Sequence, residues 1–277
     1  MVQNIKTNLP GQSDEERKIR ERMAKIKHKI LVISGKGGVG KSTFAANLAY
    51  AFVADGDSAG ILDIDIHGPS QGRITGIEGL QMTINPDNSI KPIEKGGVRI
   101  VTMASLLQDS DQPVIWRGPL KMKAIKQFLG DIDWGELDWL VIDSPPGTGD
   151  EPLSAVQLLP EMDGSVIITQ PQDLSLLDAR KTVKFSQTIG VKVLGIVENM
   201  SGFICPHCGK RTDIFKSGGG KKAAEEMKVP FLGSIPIEPA IMESGEMGKP
   251  FVWMFPDAES SKIMKEIAGK IRAELEK

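Results

Sequence analysis

Cysteine is nearly absent: the chain has two in 277 residues. No apolar N-terminal stretch precedes a small-residue cleavage site, so a secreted fold held by disulfides is excluded. Two thiols are also too few to close a metal site within one chain. Aromatic residues are sparse at 5%. No run of about 18 apolar residues occurs, which excludes a membrane-spanning helix. Charge of one sign is lacking too, since 34 Lys and Arg against 36 Asp and Glu leave a net −2. That balance gives no reason to expect a nucleic-acid or anionic-membrane partner. No Pro-rich or Ser-rich linker, internal repeat or low-complexity tract breaks the chain. With 40% hydrophobic and 25% charged residues, the composition is that of a soluble globular protein, expected in the cytoplasm.

Residues 1–12 read as a loose polar tail. Ser13 then precedes Asp14, Glu15 and Glu16, an acidic helix start, and Ile19, Met23 and Ile26 follow at helical spacing. This gives an N-terminal tail and amphipathic helix over 1–28, with the main domain over 29–277. From residue 29 short β-branched runs alternate with helical segments. Strands are expected at about 29–34, 60–64, 98–103, 139–143, 165–169, 193–198 and 231–235. Helices are expected at about 41–54, 119–129, 173–189, 219–227 and 258–275. Strands apolar on both faces with helices between them predict an α/β fold: a doubly wound, mostly parallel sheet covered on both sides. Met82 to Ile93, with Pro86, Asp87, Asn88 and Ser89 at its middle, reads as an inserted hairpin.

Gly35-Lys36-Gly37-Gly38-Val39-Gly40-Lys41-Ser42 follows the first strand, opens a helix and matches the P-loop pattern. Glycines let main-chain N–H groups turn inward around phosphate oxygens, and the helix start adds its positive end. Lys41 neutralises charge and Ser42 is placed to ligate Mg²⁺. The phosphate cradle therefore runs from Gly35 through Lys36, Gly37, Gly38, Val39, Gly40, Lys41 and Ser42 to Thr43. The second strand ends in Asp63 and Asp65, alternate positions that point to the same side. Trp139-Leu140-Val141-Ile142-Asp143 is an apolar strand ending in a carboxylate, the Walker B arrangement that reaches Mg²⁺. His67 has no partner at an evident spacing and reads as a hydrogen-bonded loop residue.

Lys36 is a second lysine that a plain P-loop does not need. The Lys-Gly-Gly-Val-Gly-Lys-Ser run resembles the deviant P-loop of the ATPase class that includes the nitrogenase iron protein, the ParA/MinD partitioning ATPases and the Mrp/ApbC iron-sulfur carriers. That resemblance implies a homodimer in which Lys36 reaches the neighbour's phosphates. It also implies that Asp65 positions or deprotonates the attacking water, and that Asp63 supports the metal shell. Pro145-Pro146-Gly147-Thr148-Gly149 would sense the γ-phosphate. Adenine-contacting residues are placed by the class at Glu198-Asn199-Met200 and Ser234-Ile235-Pro236-Ile237. Asn199 is a candidate because an amide donates and accepts at once, and Pro236 is carried over from the class. A turn residue closing the strand is the competing reading of Asn199.

Both cysteines fall in Cys205-Pro206-His207-Cys208-Gly209. A dithiol redox motif expects a helix start, and Gly209-Lys210-Arg211 does not begin a convincing one. Half of a zinc knuckle and half of an iron-sulfur site stay open. A four-iron four-sulfur (4Fe-4S) cluster needs four thiolates, and a symmetric dimer offers four. A zinc ion bridging the dimer has the same count. The P-loop, Asp-Ile-Asp-Ile-His-Gly-Pro-Ser, Trp116-Arg117-Gly118-Pro119, Asp-Ser-Pro-Pro-Gly-Thr-Gly-Asp, Pro171-Gln172-Asp173 and the cysteine pair resemble Mrp/ApbC cluster carriers over about residues 29–245. The resemblance implies a slow ATP hydrolase with a labile 4Fe-4S cluster between Cys205 and Cys208 of both subunits. Apo iron-sulfur proteins would be clients, and a cluster scaffold or donor would load it. No four-cysteine ferredoxin-like motif precedes residue 29, so a second stably held cluster is not expected.

Ser217-Gly218-Gly219-Gly220-Lys221-Lys222 lacks P-loop spacing and reads as a flexible helix lead-in. The last helix carries Ile263, Ile267, Ile271 and Leu275 on one face, with charges of both signs elsewhere. It is expected to pack on the sheet rather than on a membrane. A ParA/MinD-type positioning ATPase, acting on DNA or membrane, is the rival reading.

Overall fold

A computed structural model describes residues 14–65, 68–103, 118–205, 207–208 and 210–276. His67, Trp116, Arg117 and the polar tail lie outside the described residues. In chain order the first elements are α1 (Asp14–Met23), β1 (Ile26–Ser34), α2 (Lys41–Ala54), β2 (Ala59–Asp63), α3 (Gln71–Ile74), β3 (Thr83–Ile84), β4 (Ile90–Lys91), β5 (Ile93–Lys95) and β6 (Val98–Thr102). There follow α4 (Gly118–Asp131), β7 (Leu137–Asp143), α5 (Asp150–Gln157), β8 (Gly164–Thr169), α6 (Asp173–Thr188) and β9 (Val193–Ile204). The chain closes with β10 (Arg211–Thr212), α7 (Gly219–Met227), β11 (Phe231–Ile237), α8 (Pro239–Glu246), α9 (Phe251–Met254) and α10 (Glu259–Leu275).

Nine described strands form one sheet in the order β10-β9-β8-β1-β7-β2-β6-β5, with β11 also paired to β9. Only β5 with β6 and β10 with β9 run antiparallel. Side chains alternate along each strand, so one strand feeds two cores. Ile30 and Val32 of β1, with Trp139 and Val141 of β7, face the layer of α2, α9 and α10. Leu31 and Ile33, with Leu140 and Ile142, face the layer of α1, α4, α6 and α7. This is the P-loop NTPase fold, a doubly wound, mostly parallel sheet.

Helix α1 buries Ile19 and Met23 in the second layer beside α4, and Lys126 of α4 pairs with Glu16 at 2.6 Å. Ile267 and Ile271 of α10 are fully covered in the first layer, with Ile263 and Leu275 partly covered, so the last helix packs as its apolar stripe predicts. The inserted hairpin is β3 with β4, turned at Asn88, whose φ is 64°. Three features differ from the periodicity. Helix α1 ends at Met23, and Ile26, the third apolar residue of the expected helical stripe, instead opens β1 opposite Leu137, so the sheet begins before residue 29. Strand β9 continues to Ile204 instead of stopping near residue 198, because Met200 (φ 58°) and Gly202 (φ 78°) bend the chain without ending its pairing. The short helices α3, α5, α8 and α9 also emerge where Pro152, Pro239, Gly245 and brief length obscure a helical repeat.

Candidate functional site

Because β1 lies between β8 and β7, with β2 beyond β7, the loops leaving these strands converge at one edge of the sheet. The P-loop leaves β1 there. Gly40 is left-handed (φ 84°, ψ 22°) and caps α2, and a Cβ on it would run into the side-chain nitrogen of Asn199. At the loop's other end a Cβ on Gly35 would lie 2.7 Å from Cβ and 2.8 Å from the carbonyl of Asp178 on α6. The loop therefore fits between α6 and β9 only with hydrogen at both positions.

Lys41 is buried, and its Nζ donates to Asp143 Oδ1 and, at 3.3 Å, to Ser42 Oγ. Asp63 pairs with Asp143 across β2 and β7 and is fully buried. Its carboxylate accepts from the main-chain N–H of Asp65 (3.1 Å), Ser70 (3.0 Å) and Gln71 (3.1 Å), and from Thr102 Oγ1 (3.2 Å). Burial first, then the negative charge of Asp143, raises the Asp63 carboxyl to about 8. The four donors make Asp63 the organiser of the loop from β2 to α3. Asp65, also buried, accepts from the N–H of Gly68 at 3.0 Å within that loop.

The loop after β7 is tied back to β1. Ser144 Oγ donates to the Val32 carbonyl at 3.0 Å, and the N–H of Gly147 to the Ser34 carbonyl at 2.8 Å. Asn199 donates from Nδ2 to the Val39 carbonyl at 2.8 Å, and Gln170 reaches both the Gly38 carbonyl (3.4 Å) and Met200 Sδ (3.0 Å). Pro236 follows Ile235, the residue paired with Asn199 across β11 and β9, so the two base-reading candidates are neighbours. Lys36 is partly buried in the loop, and among the described residues no carboxylate pairs with it.

Two residues carry this geometry without having been singled out by pattern. Gln71 is fully buried, and its Nε2 donates to the Ser42 carbonyl and to Asp143 Oδ2, both at 2.9 Å. Among the described residues its Oε1 has no hydrogen-bond partner. No motif spacing marks it; only its place directly after Ser70 does. Glu198, fully buried at the end of an apolar run, accepts from Ser201 Oγ (2.6 Å) and from the N–H groups of Gly218 (3.0 Å) and Gly220 (2.5 Å). The glycine-rich lead-in to α7 is thus a fixed helix start whose donors are already taken by an internal carboxylate. The signal available in the sequence was an acid closing an apolar strand ahead of a glycine run.

Strands β9 and β10 form a hairpin, with Ile204 opposite Arg211 and the N–H of Cys205 donating to the Lys210 carbonyl at 3.0 Å. Its tip carries both free thiols, Cys205 partly covered and Cys208 exposed. The main-chain N–H of His207, then that of Cys208, then the Cys208 side chain, hold the Cys205 thiol below the ordinary range. Antiparallel pairing at Arg211 replaces the helix that dithiol redox chemistry expects. Hydrogen bonds and strand pairing link Lys41, Ser42, Asp143, Asp63 and Asn199 at the P-loop, with Asp65 joined through Asp63 and Pro236 beside the partner of Asn199, whereas the cysteines lie on the hairpin beyond β9. Ser42 Oγ and the Asp143 carboxylate are hard oxygen donors, a pair that fits Mg²⁺, and Gln71 Oε1 lies beside them as a free acceptor among the described residues. Among the described residues, no three His, Cys, Asp or Glu side chains cluster as a closed metal site.

Comparison with known proteins identifies the family and the fold. An iron-sulfur cluster carrier protein from Methanocaldococcus jannaschii is 46% identical over 266 residues, covering 95% of this chain and 92% of that one. One from Saccharolobus solfataricus is 49% identical over 255 residues, covering 92% and 86%. A nucleotide-binding protein from Archaeoglobus fulgidus, solved in complex with ADP, superposes with a TM-score of 0.75 at 36% identity, covering 88% of this chain and 98% of that one. The cell division ATPase MinD of Pyrococcus furiosus, at 24% identity and a TM-score of 0.67 over 89% and 99%, shares the fold. The family profile described as ParA, NUBPL iron-transfer P-loop NTPase, matches residues 25–272, and the chain belongs to that family.

Proposed function

We propose that the protein is an ATP-hydrolysing iron-sulfur cluster carrier that works as a homodimer. Two copies hold one labile 4Fe-4S cluster between Cys205 and Cys208 of each, receive it from a scaffold or donor and pass it to apo-proteins. The observation that carries this reading is the placement of both thiols at an exposed hairpin tip, with two main-chain N–H groups directed at Cys205. Donors of that kind favour the thiolate, the form that ligates iron. One chain supplies half of the four ligands, so the second half comes from a second copy.

At the P-loop, main-chain N–H groups and Lys41 would hold the phosphates, while Lys36 of a second copy would add charge as the γ-phosphate leaves. Ser42 and Asp143 would hold Mg²⁺, which neutralises phosphate charge when bound. Asp65 would accept the proton of the attacking water, with Asp63 shaping the loop that aims it. Asn199 and Pro236 would line the base. Movement of the loop after β7, tied to β1 through Ser144 and Gly147, would follow the γ-phosphate.

Anaerobic reconstitution tests the carrier. The parent is expected to gain visible absorbance with four iron and four sulfide per dimer, and Cys205→Ala and Cys208→Ala to lose both. Retention of iron and sulfide by those variants would sink the proposal. One zinc per dimer without visible absorbance would instead identify a zinc-bridged dimer. ATP-dependent co-sedimentation with DNA or vesicles would favour a positioning ATPase.

A further inference from the structure

The P-loop, the loop after β2 and the end of β7 meet at one side chain, Gln71. Its main-chain N–H donates to Asp63 Oδ2, and its Nε2 donates to both the Ser42 carbonyl and Asp143 Oδ2. Those two acceptors decide which way the amide faces, because a flipped amide would set its oxygen against a carbonyl and a carboxylate. The oxygen left over, Oε1, is buried without a donor among the described residues, in a residue that is fully covered. An amide oxygen stripped of water and given no donor is costly to keep, so its retention beside candidate metal ligands calls for a donor that arrives with a ligand.

Magnesium brings such donors. It releases water reluctantly and usually keeps several aqua ligands, each a strong hydrogen-bond donor. In this structure Lys41 occupies Asp143 Oδ1 while Gln71 holds Oδ2. Were bound phosphates to draw Lys41 to themselves, Oδ1 would be freed, while the bond from Gln71 to Oδ2 would keep the carboxylate from rotating with it.

We propose that Gln71 is a positioning residue for the metal end of the nucleotide site: its NH₂ group holds Asp143 and the Ser42 main chain at one separation, and its oxygen accepts from a water of the magnesium shell. The proposal rests on the reading that the P-loop binds nucleotide with Mg²⁺.

Titration calorimetry with ADP in the presence of Mg²⁺ and in EDTA tests it on the full chain, without turnover. The parent is expected to bind more tightly with Mg²⁺. Gln71→Leu keeps the volume but neither donor nor acceptor, so it is expected to lose about tenfold of that gain, while affinity in EDTA changes less than about twofold. The EDTA affinity and the thermal transition report whether the variant is folded. Should Gln71→Leu not fold, Gln71→Asn, whose amide is one methylene short of both acceptors, is read in the same way. With Mn²⁺ and ADP, the electron paramagnetic resonance spectrum is expected to differ between parent and variant. A variant with the parent's full metal-dependent gain and an unchanged Mn²⁺ spectrum overturns the role of Gln71 alone. A parent whose ADP affinity ignores Mg²⁺ overturns the metal reading on which it rests.

Discussion

Lys41 and Asp143 form a buried ion pair across the end of the sheet, their side chains 7% and 0% exposed. The lysine comes from the first turn of α2 and the carboxylate from the last residue of β7. In the absence of ligand, each satisfies the charge that the other would leave stranded. Removing one partner of such a pair costs about 3–5 kcal/mol, because the remaining charge is buried alone. Lys41→Met is therefore expected to lower the stability of the ligand-free protein by about that amount, read from urea unfolding, and to abolish nucleotide binding. Lys41→Met with Asp143→Asn is expected to recover most of the stability and none of the binding. A stable Lys41→Met single variant would show that the pair contributes little.

Asn199 ties the P-loop to the strand that ends at the cysteines, through its 2.8 Å bond to the Val39 carbonyl. Asn199→Ala leaves that carbonyl without its donor and opens space above Gly40. ADP affinity is expected to fall about five- to tenfold, in line with the loss of one or two hydrogen bonds. Nucleotide and cluster sites that influence one another must do so equally in both directions. Asn199→Ala is thus expected to shrink together the effect of ATP on iron retention and the effect of iron on ATP affinity. Calorimetry of the cluster-loaded and cluster-free forms checks both halves.

The Cys205 thiol is held below its ordinary range by the N–H groups of His207 and Cys208 and by the Cys208 side chain. A lowered value means that the thiolate persists as pH falls through the range where a free thiol has become protonated. Alkylation of metal-free protein is expected to modify Cys205 with a pH midpoint below that of a free cysteine. Peptide mapping of iodoacetamide-treated samples across pH checks this, and a midpoint in the free-thiol range would contradict it.

Glu198 holds three donors from two segments, Ser201 in the cysteine hairpin and Gly218 and Gly220 at the start of α7. Glu198→Ala strands the buried N–H of Gly220 at about 1–3 kcal/mol and takes the acceptor from the N–H of Gly218, which water can reach. A loss of about 1–3 kcal/mol is expected, with faster amide hydrogen exchange concentrated at residues 218–222. Glu198→Gln, which keeps an acceptor, is expected to lose less. Uniform exchange throughout the chain in Glu198→Ala would point to global destabilisation instead of a local anchor.

How legible the site was depends on how local its chemistry is. The P-loop is contiguous, so the turn from β1 into α2 over Gly35 to Thr43 could be read directly from its glycine spacing. Asp143 was legible because it ends an apolar strand. Gln71 was not, since its partners Ser42 and Asp143 lie 29 and 72 positions away. Glu198 lies in the segment expected to contact adenine, and its acceptor function was not legible because it needs Gly218 and Gly220 folded back onto β9.

By itself the sequence determined the alternation of buried strands and amphipathic helices, the phosphate loop and the pair of thiols, because hydrophobic periodicity, glycine spacing and ligand chemistry act over a few residues. Only the tertiary structure decided that Lys41 rests on Asp143, that Asp63 is a saturated loop organiser, and that β9 bends through Met200 and Gly202 to reach the cysteine hairpin. These are consequences of strand order: β7 beside β1 and β2, and β9 beside β8, bring charges and hydrogen-bond partners together across the sheet from positions that no sequence window spans.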